Sequence, residues 1–217
     1  MSVRHIGRAL LTVSLLVVAG VAPVGCKSTS QQAVQRSEKT VDTVAGLRAE
    51  VVAAGTQLDR SMSSLNAVIA GSGDRRTAFK NYSSELAKLQ SQADKAKSRA
   101  DDLRARANEY IAKWEAEAAT VSNPDLKAQA EARRATVRDR IDEIQVAADR
   151  GNAAYEPLMR ELRDIETVLS NDLTDAGVQG VAPVAQQAIT DAATLRDRIN
   201  GLVAELDRLT GQMSPRG

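Results

Sequence analysis

One uninterrupted apolar seam between residues 79 and 114 constrains the fold of this chain more than any other feature. Its members follow one another at separations that alternate between three and four residues: Phe79, Tyr82, Leu86, Leu89, Ala93, Ala96, Ala100, Leu103, Ala107, Tyr110 and Trp114. A mean period of 3.5 residues, kept over many turns, is typical of long helices that pack side by side in a left-handed supercoil. The seam therefore predicts a long helix with at least one helical partner.

The composition supports slender helices over a thick globular core. Of the 217 residues, 43% are apolar, which argues against disorder, but only 2% are aromatic, so alanine and leucine must provide most of the burial. Such a composition does not suit a β-sandwich or a doubly wound α/β domain. The 29 basic and 28 acidic side chains nearly balance, so no bulk charge indicates a nucleic-acid partner.

The N-terminus has the plan of a secretory signal. Arg4 and Arg8 precede an apolar run over residues 9–22, and small residues follow up to the single cysteine, Cys26. This arrangement resembles a bacterial lipoprotein signal, in which the cysteine is lipidated and becomes the mature N-terminus. We therefore predict a signal peptide over residues 1–25 and lipidation of Cys26. The protein would then be held at a membrane by its N-terminal lipid.

Two details qualify this prediction. Pro23 stands where lipoprotein signals usually carry an aliphatic residue. Residues 9–26 carry no formal charge and just reach the length of a membrane-spanning helix, so an uncleaved anchor is the alternative. In both cases the basic N-terminal flank places the rest of the chain outside the cytoplasm. Lys27 follows the cysteine, where Asp favours retention in the inner membrane. The resemblance therefore implies the periplasmic face of the outer membrane, in the cell envelope.

Most familiar catalytic residues are missing after the predicted signal. The only histidine is His5, and the only cysteine is the predicted lipidation site. No disulfide, no cysteine or histidine nucleophile, no Ser-His-Asp triad and no histidine metal ligand are therefore expected, and we predict neither cofactor nor metal. Two carboxylate pairs, Asp101 with Asp102 and Glu115 with Glu117, favour solvated helix faces over acid/base catalysis. The sequence predicts a protein that is not an enzyme.

The remaining helices and turns can be placed along the chain. After a polar tether over residues 26–38, a first helical stripe, interrupted by Arg48 and Gly55, ends at a Gly-Ser-Gly turn over residues 71–73. The seam helix ends near residues 121–125. There Ser122 or Asn123 is suited to cap a third helix, with Pro124 in its first turn.

The second half of the chain carries two further stripes. In the third helix, Gly151 and Pro157 predict a kink, with a break into two helices as the alternative. A loop is predicted around residues 175–183 because glycines and Pro183 cluster there. A fourth helix then follows, with apolar residues from Ala188 onward.

These stripes predict an all-α fold: an elongated antiparallel helical bundle or coiled coil of three to four long helices over residues 39–217. The heptads fit closure within one chain and closure between copies in a homo-oligomer equally well. The small residues Ala93, Ala96 and Ala100 are expected to allow close approach of a partner helix. The predicted structural seam comprises Phe79, Tyr82, Leu86, Leu89, Leu103, Tyr110, Trp114, Ile141, Tyr155 and Leu162.

Several short motifs resemble a bacterial lipoprotein family known as domain of unknown function 2959. They are Phe79-x-x-Tyr82, Trp114-Glu115-x-Glu117, Asn123-Pro124-x-Leu126, Pro157-Leu158-x-x-x-Leu162-Arg163-Asp164 and Leu169-x-Asn171-Asp172-Leu173. None is a catalytic signature. The resemblance implies coiled-coil character, a lipid anchor and an envelope location, and it implies no activity.

Three functions fit these expectations. The first is a non-enzymatic, lipid-anchored periplasmic protein that acts as an envelope scaffold, spacer or adaptor, in non-covalent contact with another envelope protein or with peptidoglycan. The second is a holdase-like binding module for unfolded envelope proteins or lipids, held between helices that splay near residues 151–157. The third is an envelope hydrolase that uses carboxylates such as Glu115 and Glu117.

Overall fold

The computed structural model describes residues 29–71 and 73–213, and within them the regular structure consists of four α-helices with no strand. The helices are α1 (Thr29–Ile69), α2 (Arg75–Ala119), α3 (Pro124–Asn171) and α4 (Asp175–Met213). The predicted all-α class is confirmed. At a rise of 1.5 Å per residue, helices of 39 to 48 residues are roughly 60 to 70 Å long.

The four helices form a closed up-down-up-down bundle. Each helix packs against the next one in the chain, and α4 returns to pack against α1, without diagonal contacts among the described residues. The predicted elongated antiparallel bundle is therefore confirmed, and its seams close within a single chain. The four interfaces are unequal, because α2 and α3 touch one another least.

The turn between α1 and α2 has the geometry that its glycines predict. Gly71 and Gly73 adopt positive φ angles of 66° and 75°, which glycine reaches without a steric penalty. Asp74 then caps α2, because its carboxylate accepts a hydrogen bond of 2.8 Å from the amide of Thr77.

The third helix begins where the sequence predicts. Asn123 is its cap, and its side-chain oxygen accepts hydrogen bonds from the amides of Asp125 and Leu126 at 2.9 and 3.1 Å. The helix then continues without interruption through Gly151 and Pro157. The alternative of two separate helices is therefore wrong, and a local bend at Pro157 stays a prediction.

The predicted loop over residues 175–183 is wrong, because α4 already begins at Asp175 and includes Pro183. Gly177 is required for another reason: a Cβ atom there would collide with the backbone carbonyl of Asp172 in the turn before the helix. From this start α4 buries an apolar stripe, and that burial outweighs the weak helix propensity of the segment. The stripe consists of Val178, Val181, Ala185 and Ala188.

The first helix also differs from the predicted boundaries. It begins at Thr29, so residues 29–38, which we assigned to a flexible tether, have a helical backbone. The predicted signal peptide over residues 1–25 and the lipidation of Cys26 lie outside the described residues. They stay predictions.

The two residues that interrupt the apolar stripe of α1 meet partners from α4. Arg48 forms an ion pair with Asp207. Gly55 is buried, and a Cβ atom there would collide with the guanidinium of Arg196, which crosses α1 to reach Asp59 at 3.3 Å. Both interruptions therefore fix α1 against α4.

Two clusters of buried side chains make up the core. The turn-end cluster lies beside the α1–α2 and α3–α4 turns and includes Leu65, Tyr82, Leu86, Leu162, Leu169 and Ala185. The distal cluster lies toward the α2–α3 loop and consists of Val44, Leu47, Val51, Leu103, Ile144, Leu206 and Leu209.

Candidate functional site

Reciprocal polar contacts set the register of α1 against α2. The side-chain amide of Gln57 donates to the backbone carbonyl and the carboxylate of Glu85, at 2.9 and 2.7 Å. One heptad further from the turn, Gln92 makes the same two contacts with Glu50, at 3.4 and 2.5 Å. Because the two pairs are related by the antiparallel arrangement, a slip of either helix would break both. This interface is rigidly specified.

Two tyrosines join α2 to α3. The Tyr82 hydroxyl donates a 2.7 Å hydrogen bond to the carbonyl of Leu162, and burial raises the pKa of this phenol well above its usual range. Tyr155 donates to the side-chain oxygen of Gln90 at 3.2 Å. Burial, reinforced by the nearby carboxylate of Asp94, raises the pKa of Tyr155 to about 12. Both hydroxyls stay protonated at neutral pH.

The residues of the predicted seam are distributed along the whole bundle and do not gather into one site. The structure buries Tyr82, Leu86, Leu89, Leu103 and Leu162 and leaves Phe79, Tyr110, Trp114, Ile141 and Tyr155 half-buried. The rings of Tyr110 and Trp114 pack edge to face, with centroids 5.5 Å apart.

A cavity of about 400 Å³ lies between the turn-end and distal clusters. All four helices contribute to its wall. Small residues line it on two helices: Ala93, Ala96 and Ala100 of α2 and Ala148 and Gly151 of α3. Our expectation that the alanines bring a partner helix into close approach is wrong for α3. The α2–α3 interface is the loosest of the four, and the alanines border empty space.

The cavity has an apolar floor and a polar mouth. Every lining residue from α1 and α4 is apolar: Leu47, Val51, Ala54, Leu58, Leu195, Ile199 and Leu202. Every charged or amide side chain of the lining comes from α2 or α3: Lys97, Asp101, Arg104, Gln145, Asp149 and Asn152. The cavity therefore opens between α2 and α3, and its wall opposite the opening is apolar.

Opposite charges face one another across this mouth. Of the two cations at the mouth, Arg104 is paired with Asp101 at 3.1 Å, and Lys97 forms no ion pair among the described residues. The contacts of Tyr82 with Leu162 and of Gln90 with Tyr155 set the antiparallel register, and this register brings Lys97 close to the height of Asp149 on α3. No ion pair joins these two side chains within the described structure.

Charged groups outside the cavity form ion pairs within one helix or between adjacent helices. In the arginine-rich stretch at the start of α3, Arg134 approaches Glu115 of α2 at 3.9 Å, and Arg140 pairs with Glu143. Glu161 is half-buried, and burial, with repulsion from Asp191, raises the pKa of its carboxyl. Across residues 29–71 and 73–213, no cluster of three histidine, cysteine or acidic side chains is arranged to hold a metal ion.

No segment within the described part of the chain is both long enough and apolar enough for a helix that crosses a membrane. The profile of a family described as "Protein of unknown function (DUF2959)" matches residues 27–213. This match covers most of the chain. The chain belongs to this family. Neither a curated protein nor a solved structure matches it.

The match confirms the family named from the sequence motifs, and the lipid anchor and envelope location stay predictions. The match includes all four helices, so the family domain and the bundle coincide. The cavity was not predicted from the sequence. The seam contained a signal for it, because three consecutive members, Ala93, Ala96 and Ala100, carry only a methyl group as their side chain.

Proposed function

We propose that this protein is a non-enzymatic, lipid-anchored protein of the bacterial cell envelope that acts as a scaffold, spacer or adaptor on the periplasmic face of the outer membrane. The observation that carries the proposal is the rod itself. Four helices of 39 to 48 residues pack along their lengths and separate the two ends of the bundle by roughly 60 Å. A rod of this kind can hold a partner at a fixed distance from its point of attachment.

The order of the helices supports an attachment at one particular end. The start of α1, the α2–α3 loop and the end of α4 lie at the distal end, and the two other turns lie at the opposite end. Cys26 precedes Thr29 by three residues, and the family match begins directly after it, at residue 27. A lipid on Cys26 would therefore hold the distal end at the membrane and direct the turn end away from it.

The turn end is built as a rigid tip. Arg75 at the start of α2 donates to the backbone carbonyl of Leu173 at 3.2 Å and forms an ion pair with Asp175. These contacts join the α1–α2 turn to the α3–α4 turn. A fixed tip of this kind suits non-covalent contact with another envelope protein or with peptidoglycan.

Three exposed apolar residues on α3 allow a test at three heights. Leu126 lies at the distal end, Val146 at the middle and Val168 near the turn end, with exposed fractions of 57%, 46% and 47%. A photoreactive amino acid would replace each in living cells, and mass spectrometry would identify what is captured. We expect position 168 to capture an envelope protein or a wall fragment.

The matched control for this experiment replaces residues 1–26 with a secretory signal that is cleaved without lipidation, which removes both Cys26 with its predicted lipid and the apolar run. We expect it to release the protein from the membrane fraction and to abolish capture at position 168. If only links to other copies of the chain form at all three heights, the adaptor proposal fails. If the variant stays in the membrane fraction, the lipid anchor fails.

A second candidate function is favoured by the cavity: a holdase-like binding module for unfolded envelope proteins or lipids. An apolar space of about 400 Å³ that opens between two loosely packed helices is within the range of ligand sites. The discriminating measurement is whether the purified full chain suppresses aggregation of an unfolded client protein. Suppression, together with dye binding to the cavity, favours the second function over the scaffold.

A further inference from the structure

We propose that the connection between α2 and α3 touches the surface of the lipid bilayer that holds the predicted lipid of Cys26. The contact involves residues 119–126, which we call the distal loop. This inference rests on the lipid anchor of the proposed function, and it adds a second contact between the protein and the membrane. It does not involve the cavity.

The distal loop projects beyond the described ends of the two other helices. Two hydrogen-bonded pairs define the antiparallel register of α1 and α2: Gln57 with Glu85 and Glu50 with Gln92. Continued along the helices, this register places Thr29 level with Lys113, so α2 extends roughly 9 Å further, to Ala119. The ion pairs between α1 and α4 place Met213 level with Asp42, which lies further from the loop than Thr29.

The predicted lipid is attached near the level of the distal loop. Cys26 precedes Thr29 by three residues, and such a length of chain spans at most about 11 Å. The distal loop reaches roughly 9 Å past Thr29 in the same direction. A bilayer that takes up the lipid of Cys26 therefore begins at about the level of the loop when the rod stands upright.

The distal loop presents apolar side chains at this level. Leu126 is 57% exposed, more than any other large apolar side chain of the described residues, and Val121 is half-buried. The cap of α3 uses only the backbone amide of Leu126, which donates to Asn123, so the start of the helix does not require a leucine. Contact with lipid would remove this side chain from water, which is favourable.

The backbone of the distal loop is suited to a less polar surrounding, because several of its amides are already bonded within the protein. The amides of Thr120 and Val121 donate to carbonyls in the last turn of α2, at 3.2 Å each. The amides of Asp125 and Leu126 donate to the side chain of Asn123. An amide without a partner loses free energy when it leaves water, and these amides avoid that loss.

The two ends of the bundle differ in charge. At the distal loop, Asp125 is followed closely by Lys127, so residues 119–127 carry no net charge. The two turns at the opposite end carry four charged residues: Asp74, Arg75, Asp172 and Asp175. Because charged side chains are costly in contact with lipid, the distal loop is the better suited of the two ends. The contact is apolar and needs no anionic lipid.

Tryptophan fluorescence of the full, lipidated chain tests this contact, because Trp114 is the only tryptophan in the sequence. In the Trp114→Phe chain, a new tryptophan is placed by Leu126→Trp, Val146→Trp or Val168→Trp. The chain is reconstituted in phosphatidylcholine vesicles whose acyl chains carry bromine, which quenches tryptophan at close range. We expect position 126 to lose at least about half of its fluorescence. Positions 146 and 168 should lose less than about a tenth, because position 146 is already roughly 30 Å along α3 from position 126.

Flotation of the vesicles measures the anchor separately from the distal loop. A chain that floats with the vesicles without quenching at position 126 retains the anchor and overturns the loop contact. Quenching at all three positions would show that the rod lies along the bilayer, and it would overturn the proposal. A blue shift at position 126 without quenching would show that protein covers the loop, with the same consequence. A chain that does not float overturns the anchor and the loop contact together.

A second reporter tests the leucine itself. Ser122→Trp, again in the Trp114→Phe chain, places the tryptophan at an exposed position of the distal loop and leaves Leu126 in place. Adding Leu126→Asp should lower the quenching at position 122 at least twofold. Adding Val146→Asp, at an exposed position in the middle of α3, should leave it unchanged. Equal quenching in these two variants would overturn the proposal.

The salt dependence tests the apolar character of the contact. Quenching at position 122 should persist at about 1 M salt, where charges are screened beyond about 3 Å. Its loss at high salt would show that charged groups hold the distal loop at the bilayer, and it would overturn the apolar contact.

Discussion

The turn end and the middle of the bundle follow the same heptad seam, and only one of them closes. At the turn end, Tyr82 and Leu86 of α2 meet Leu162 of α3 in a fully buried cluster. In the middle, Ala96 and Ala100 of α2 border a cavity opposite Ala148 and Gly151. The period determines which face of a helix turns inward. The volume of the residues on that face determines whether the interior is filled.

The two regions should differ most in what a truncated leucine costs. Leu162 is fully buried in the turn-end cluster, so Leu162→Ala creates a new cavity and should lower the free energy of unfolding by about 4 kcal/mol. Leu202 lines the existing cavity and is half-buried, so Leu202→Ala should lower it by only about 1 kcal/mol. Urea denaturation of both variants measures the difference. Equal losses would contradict the contrast between the two regions.

The tyrosine hydroxyls extend the comparison to hydrogen bonds. Tyr82→Phe removes the buried bond to the carbonyl of Leu162 and should lower the free energy of unfolding by about 1.5 kcal/mol. Tyr155→Phe removes a longer bond beside the cavity, where the oxygen of Gln90 keeps a contact with Arg163, and should cost about 0.5 kcal/mol. Thermal unfolding at neutral pH compares them. A larger loss for Tyr155→Phe would mean that the cavity side is the better packed.

Much of this fold could be predicted because its signals are periodic and local. The seam from Phe79 to Trp114 predicted α2, and the glycines at 71 and 73 and the cap at Asn123 marked two of the three turns. The third turn was misplaced. Gly177 allows the close approach of the Asp172 carbonyl, and Pro183 lies inside α4. The sequence alone does not show whether a glycine or a proline ends a helix or lies within one.

The candidate site was harder to predict, because a cavity forms only where several helices carry small side chains at the same level of the bundle. Ala93, Ala96 and Ala100 could have formed a close helix contact, as in many bundles, and their own sequence does not distinguish the two outcomes. The outcome depends on Ala148 and Gly151, which lie roughly 50 residues away and are also small. Small residues on both sides of one interface leave a space that neither helix reveals alone.

Filling the cavity should stabilise the middle without affecting the turn end. Ala96→Leu places a larger side chain at the wall of the cavity, and it should raise the free energy of unfolding by about 1 kcal/mol. Ala87→Leu, exposed on the same helix, should change it by less than about 0.5 kcal/mol. Urea denaturation of the two variants checks this. Destabilisation by Ala96→Leu would mean that the helices already close on this space in solution.

The last expected effect is a dependence on alkaline pH that originates at the cavity wall. Burial raises the pKa of Tyr155 from its usual value of 10.0 to about 12 in the folded state. Below pH 10 the phenol is protonated in both states, and its full contribution to stability is present. Between about pH 10 and 12 only the unfolded chain releases the proton, so the stability of the wild type falls as the pH rises.

Tyr155→Phe lacks this proton, so its disadvantage at neutral pH should shrink across that range. Urea denaturation from about pH 9 to 12 measures the difference, and the high pKa of Tyr82, shared by both proteins, cancels from it. A difference that stays constant would show that the ring of Tyr155 meets water freely, and that the mouth between α2 and α3 is wider than the structure describes.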